Sequence, residues 1–154
     1  MIDISFDKNP ILYKDYEACQ KMLSTIKNED YEYPKNITLF HIYTEFRTDK
    51  EVECLKSFLA TQNLDKCKLI IWSDYDINDN PLIQKYKKYL DLRLWDAKKE
   101  AVGTILEGIP HLDAIDDKHY LQSDLLRILV LYKYGGVWVD MDIIFLRDFR
   151  PILD

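Results

Sequence analysis

YLQSDLLRILVLYKYGGVWVDMDIIFL, residues 120–146, is the stretch on which the reading of this chain turns. Ser123 is a residue type that caps helices, and the run from Asp124 to Tyr134 is apolar nearly all round except for Asp124 and Arg127, which predicts a buried helix. Those two charges stand at i and i+3 and so share one face. Gly135-Gly136 is half of the four glycines in the chain. Gly135 is placed to end the helix in a left-handed conformation, and Gly136 lets the backbone turn tightly into the next strand. Val137 to Leu146 reads as that strand, with Asp140 and Asp142 set into an otherwise hydrophobic run. A helix leading through a tight turn into a buried strand is the closing half of a βαβ unit.

Working outward, the same alternation repeats. Ile37 to Tyr43 is short, β-branched and aromatic, a buried strand. Lys50 to Thr61 has helical spacing through Val52, Leu55, Phe58 and Leu59. Lys68 to Trp72 is a second buried strand ending in Ser73-Asp74, and Pro81 opens an expected helix carrying Leu82, Ile83, Tyr86 and Leu90. Leu92 to Trp95 reads as a third strand and Ala97 to Leu106 as a further helix. Strand and helix in alternation predict an α/β fold with a mostly parallel central sheet, in which ligands sit beyond the carboxyl ends of the strands. The ends to watch are Tyr43-Thr44, Trp72-Ser73-Asp74 and the residues after Val139.

Residues 1–35 form an expected N-terminal helical segment, with loose spacing through Tyr16, Cys19, Met22, Leu23 and Ile26 and a stop at Pro34. Residues 36–154 are the expected α/β domain, uninterrupted by repeats, low-complexity tracts or Ser/Gly linkers.

Two features carry chemistry. A carboxylate and a bidentate guanidinium on one helix face, Asp124 and Arg127, suit sugar hydroxyls and phosphate oxygens, although a capping carboxylate paired with its neighbour has the same spacing. Burying such a pair commonly costs as much as it returns, which invites a functional account. Asp140 and Asp142, at i and i+2, project to one side of a regular strand and repel each other there. A hard cation, Mn²⁺ or Mg²⁺, relieves that repulsion while binding diphosphate oxygens, one carboxylate ligating directly and the other through water or a ribose.

Ser123-Asp124-Leu-Leu-Arg127, then Leu131-Tyr-Lys-Tyr-Gly135-Gly136-Val-Trp138-Val-Asp140-Met-Asp142, resembles the DXD-containing sugar transferases of the GT-A fold. The likeness is to glycosyltransferase family 32 and, more distantly, to the glucosylating clostridial toxins. It is dense from Ser123 to Asp142 and looser from Ile37 onward. The resemblance implies a Rossmann-like nucleotide-sugar-binding domain in which Ser123, Asp124 and Arg127 contact the donor sugar and Trp138 packs beside the nucleotide. It further implies that Asp140 reaches ribose or metal, that Asp142 ligates the metal directly, and that Ile42 and Tyr43 line the base pocket. Gly136 falls within the same donor-binding set, and Tyr43 stands where these families often place tryptophan. The implied activity is metal-dependent transfer of a hexose from a UDP-sugar or GDP-mannose to an acceptor, with retention of configuration. Asp154 lies twelve residues past Asp142, where the family normally continues into an acceptor-binding half. The alternative expectation is therefore a truncated, non-catalytic nucleotide-sugar-binding module or partner subunit, whose exposed sheet edge favours self-association into a homo-oligomer.

Composition removes other classes. A net charge of -6 gives no broad positive field for nucleic acid or an anionic membrane. Cys19, Cys54 and Cys67 form no CxxC pair, and His41, His111 and His119 have no metal-ligand spacing. No apolar run is long enough for a membrane span and no signal-like start is present, so a cytoplasmic location is the expectation. No G-x-S-x-G, Walker A or GxGxxG occurs. A phosphatase of the haloacid-dehalogenase type also carries DxD after a hydrophobic strand, but there the motif opens the domain, whereas here it arrives at residue 140. Trp72 and Trp95 read as core, although Trp72 ends a strand on the expected ligand side.

Overall fold

The computed structural model of the chain describes residues 36–109, 112, 120–149 and 153. The expected helix within residues 1–35 lies outside them.

Strand β1, Thr38–Tyr43, runs parallel to β2, Cys67–Ser73, in register from Thr38 opposite Cys67 to Tyr43 opposite Trp72. On the far side of β2 lies β3, Leu90–Leu94, and on the far side of β1 lies β4, Val137–Trp138, both parallel. The sheet order is β3-β2-β1-β4. The chain thus steps outward from β1 to β3 and returns to the opposite side of β1, which places a topological switch point between β1 and β4. In open parallel sheets the crevice beyond the carboxyl ends of the two strands at such a point is where ligands bind.

Side-chain alternation builds the two layers. Phe40, Ile42, Leu69 and Ile71 point to one face, packed with Val52, Leu55, Phe58 and Leu59 of helix α1, Asp49–Thr61. Ile70 and Trp72 point to the other, packed with Ala101 of the short helix α2, Ala97–Ala101, and with Leu126, Leu129 and Val130 of helix α3, Tyr120–Tyr134. Each fully buried aromatic or branched side chain in these layers contributes roughly 1.5–3 kcal/mol. The Phe40 ring meets Phe58 edge to face at 5.0 Å, and Phe145 and Phe149 complete that cluster.

Several elements depart from expectation for local reasons. The helix expected after Pro81 is a series of turns ending in a 3₁₀ turn, Lys87–Tyr89. There the Asn80 carboxamide accepts the Leu82 amide at 3.0 Å and donates to the Glu45 and Phe46 carbonyls, offering the backbone an alternative to helix. The helix from Ala97 stops at Ala101, ahead of Gly103 at φ +77°. Helix α3 begins at Tyr120, so Ser123 lies inside it rather than capping it. Its outer face also carries exposed Ile128 and Tyr132, so the helix is not buried all round.

The expected strand from Val137 to Leu146 is the largest correction. Only Val137 and Trp138 join the ladder, and Met141-Asp142 is a turn. Gly136 explains how β4 enters the sheet: at φ +95°, a Cβ here would stand 2.2 Å from the Leu39 carbonyl oxygen of β1. Only glycine permits that approach. Among the described residues no helix is long and apolar enough to cross a membrane.

Candidate functional site

Beyond the carboxyl ends of β1 and β4 is a cleft of about 330 Å³, lined by Tyr43, Thr44, Glu45, Arg47, Glu51, Ser123 and Met141. Three elements build it: the end of β1, the first turn of α1 and the first turn of α3, closed on one side by the turn after β4.

The β1 side is a hydrogen-bonded frame. The Tyr43 hydroxyl donates to the Asp74 carboxylate at the end of β2. Burial first, and that bond second, push the Tyr43 phenol well above its usual pKa, so the ring stays neutral. Glu51 ties the loop after β1 to α1: its carboxylate accepts from the Thr44 hydroxyl at 2.6 Å and from the Arg47 and Thr48 amides at 2.6 and 2.8 Å. Partial burial works to raise the Glu51 pKa, but these donors outweigh it and hold the carboxyl below its ordinary value.

The β4 side brings together the residues singled out by the motif. One oxygen of Asp140 accepts from the Trp138 indole N–H at 2.8 Å and from the Arg127 guanidinium at 3.1 Å. Arg127 also faces Asp124 at 3.6 Å and lies over the Trp138 ring, 5.1 Å from its centroid. Its Nε is buried without a hydrogen-bond partner among the described residues. Asp142 is exposed, and its charge is felt by Cys54: burial, with Asp142 nearby, pushes that thiol up to about 12.

Of the sequence candidates, Tyr43 and Ser123 line the switch-point cleft, while Asp124, Arg127, Trp138 and Asp140 form a contact cluster whose chain neighbours Ser123 and Met141 line it, with Asp142 on the turn after β4. Two other sequence candidates stand apart. Ile42 is fully buried in the layer under α1 and presents nothing to solvent. Gly136 sits beside Leu39, near the amino end of β1, where the sheet accounts for it. Thr44, marked in the sequence only as part of a strand end, lines the cleft, and so do Glu45, Arg47, Glu51 and Met141, which the sequence reading did not single out. The Thr48-x-x-Glu51 capping-box spacing was the available signal for Glu51.

His41, which has no metal-ligand spacing in the sequence, ties together the elements that carry the site. Its Nδ1 accepts from the Trp72 indole at 3.2 Å and its Nε2–H donates to the Gly135 carbonyl at 3.0 Å, joining β1, β2 and the end of α3. Burial, reinforced by the Arg93 charge, lowers its pKa despite the Gly135 bond, which keeps it neutral. Trp72 and Trp95 are core, as their sequence context suggested.

The donor set fits a hard divalent cation shared with a diphosphate. Asp140 and Asp142 offer carboxylate oxygens only, and no group of three or more His, Cys, Asp or Glu forms a cage among the described residues. Mg²⁺-type ions in phosphate sites are typically held by one or two carboxylates plus the phosphates themselves. The unpaired Nε of Arg127 adds a buried N–H donor of the kind a phosphate oxygen satisfies.

A family model described as the glycosyltransferase sugar-binding region containing the DXD motif matches residues 49–154. The match begins at α1, so Ile42 and Tyr43 precede it. No curated protein and no solved structure matches the chain significantly.

Proposed function

Because the chain belongs to the family of DXD-containing glycosyltransferase sugar-binding regions, with the all-parallel α/β sheet of a Rossmann-like GT-A domain, we propose that its switch-point cleft binds a nucleotide diphosphate sugar for metal-dependent hexose transfer. The donor is a UDP-sugar or GDP-mannose, and transfer proceeds with retention. The observation that carries this reading is the convergence of Arg127, Trp138 and Asp140 on one another beside the cleft holding Tyr43 and Ser123.

In this reading the Tyr43 ring stacks on the base, its hydroxyl tethered by Asp74. Ser123 and Asp124 hydrogen-bond sugar hydroxyls from the first turns of α3. Asp142 and Asp140 would hold Mn²⁺ or Mg²⁺, which would supply positive charge to the diphosphate oxygens. Arg127 exchanges Asp140 for the diphosphate, which satisfies the Nε that has no partner among the described residues. An acceptor hydroxyl oxygen forms the new bond to the anomeric carbon as the C–O bond to the diphosphate breaks, the electron pair leaves with the nucleoside diphosphate, whose oxygen takes the acceptor's proton, and the preorganised charge lowers the barrier electrostatically.

Thermal unfolding with Mn²⁺ and, in turn, UDP-glucose, UDP-galactose, UDP-N-acetylglucosamine and GDP-mannose tests the reading. Ligand at about a hundred times its Kd stabilises by roughly 2.7 kcal/mol, a shift of roughly 5–11 °C at this size. One donor is expected to give a Mn²⁺-dependent shift that Asp142→Asn abolishes. A mutant that keeps the full shift would remove Asp142 from the metal site.

A further inference from the structure

Among the described residues the Asp140–Asp142 turn has no strand partner, and a row of polar side chains on α1 and at its C-cap takes that place. Just past the ladder, the Val139 amide donates to the His41 carbonyl at 2.9 Å. The Asp140 carbonyl then accepts from the Cys54 thiol at 3.9 Å, a weak bond. The Phe145 amide donates to the Ser57 hydroxyl at 3.0 Å, and that hydroxyl donates in turn to the Cys54 carbonyl at 2.7 Å. Gln62 takes the next two groups: its carboxamide donates to the Arg147 carbonyl and accepts from the Phe149 amide, each at 3.0 Å.

Ser57 and Gln62 are only 3% and 6% exposed. Polar side chains that deep are costly unless satisfied, and both make part of their bonding to the backbone of the segment after Asp142. The Phe145 and Phe149 rings pack on Phe40 and Phe58, but ring contacts alone are non-directional and do not select a register. The hydrogen bonds do. Asp142 lies between the two points at which α1 grips the chain, the Asp140 carbonyl and the Phe145 amide.

We propose that Ser57, with Gln62 behind it, is a positioning residue for the Asp140 and Asp142 carboxylates: α1 sets the register of the turn and so the place of both carboxylates relative to the cleft. This rests on the reading of the cleft as a donor site. Supports of this kind typically change metal affinity by about 10- to 100-fold when removed.

The test is Mn²⁺ affinity of the full chain in the presence of UDP or of GDP, followed by electron paramagnetic resonance. Ser57→Ala is expected to weaken binding by about 10- to 100-fold. Ser57→Cys, similar in size but a poor acceptor, behaves like Ser57→Ala, while Ser57→Thr restores affinity because it keeps the hydroxyl. A merely structural serine would lower the unfolding temperature without this hydroxyl-dependent pattern. Unchanged affinity in folded Ser57→Ala overturns the proposal. A second readout needs no variant: hydrogen exchange at the Phe145 and Phe149 amides of the unmodified chain slows under saturating Mn²⁺ and nucleoside diphosphate relative to the Leu69 amide in β2. An unaltered ratio also overturns it. If the unmodified chain binds Mn²⁺ with neither diphosphate, the donor-site reading fails and this proposal with it; if it binds and Ser57→Ala binds equally, only this proposal fails.

Discussion

Arg127 and Asp140 pair with each other at 3.1 Å, and in the proposed reading the arginine turns to the donor's diphosphate. Its removal therefore acts with opposite signs on two ligands. Arg127→Gln frees Asp140 and is expected to strengthen Mn²⁺ binding in the absence of nucleotide by up to about fivefold, the worth of a half-exposed ion pair. The same change weakens diphosphate binding by roughly 10-fold or more, because a charge-assisted bond is lost. Calorimetric titration of each ligand separates the two, and effects of the same sign would contradict the exchange. At His41 the consequence is pH dependence. A histidine whose folded pKa is lowered binds protons mainly when unfolded, so stability is intact above its ordinary value of 6.5 and declines as pH falls below it. Urea midpoints between pH 6.5 and 5, above the range of the ordinary carboxylates, are expected to fall in the unmodified chain and to flatten in His41→Gln.

At the scale of elements, the two consecutive glycines separate a conformational demand from a spatial one. Gly135, at φ +67°, has open space around it, so Gly135→Ala costs only the left-handed backbone, about 1–2 kcal/mol. Gly136→Ala adds a collision with the Leu39 carbonyl, which belongs to backbone and cannot yield without moving β1. It is expected to cost on the order of 3 kcal/mol or more and to detach β4. Denaturant unfolding of the two variants side by side checks this, and equal losses would show that β4 does not approach β1 so closely. Helix α1 acts at two places: Glu51 in its first turn frames the cleft, and Ser57 and Cys54 farther along hold the turn that carries Asp142.

Across the whole molecule, the cleft and the DXD turn share α1 and the β1–β4 switch point, so their ligands are linked. A metal held jointly by the carboxylates and the diphosphate must raise nucleotide affinity by the same factor that the nucleotide raises metal affinity. That factor is expected to lie between about 5 and 150 for Mn²⁺ with UDP or GDP. Titrations in both orders measure it, and independent binding would place the two ligands at separate sites.

From its sequence alone this protein could be read as an α/β chain with strands from Ile37 to Tyr43, Lys68 to Trp72 and Leu92 to Trp95, the first two because those runs carry the β-branched and aromatic residues of buried strands; the structure has them at 38–43, 67–73 and 90–94. The motif residues from Ser123 to Asp142, and the family to which they belong, were legible for a related reason: charged side chains set in apolar surroundings need a partner, and their spacing is a local property of the chain. What only the tertiary structure decided is long-range. Asn80 bonding to the loop after β1 replaced an expected helix with turns, and Ser57 and Gln62, far from Asp142 in the chain, replaced an expected strand with an anchored turn. Ile42 and Tyr43, adjacent in sequence, face opposite sides of the sheet, and only the packing of α1 determines which of them is sealed in the core and which is left to line the cleft.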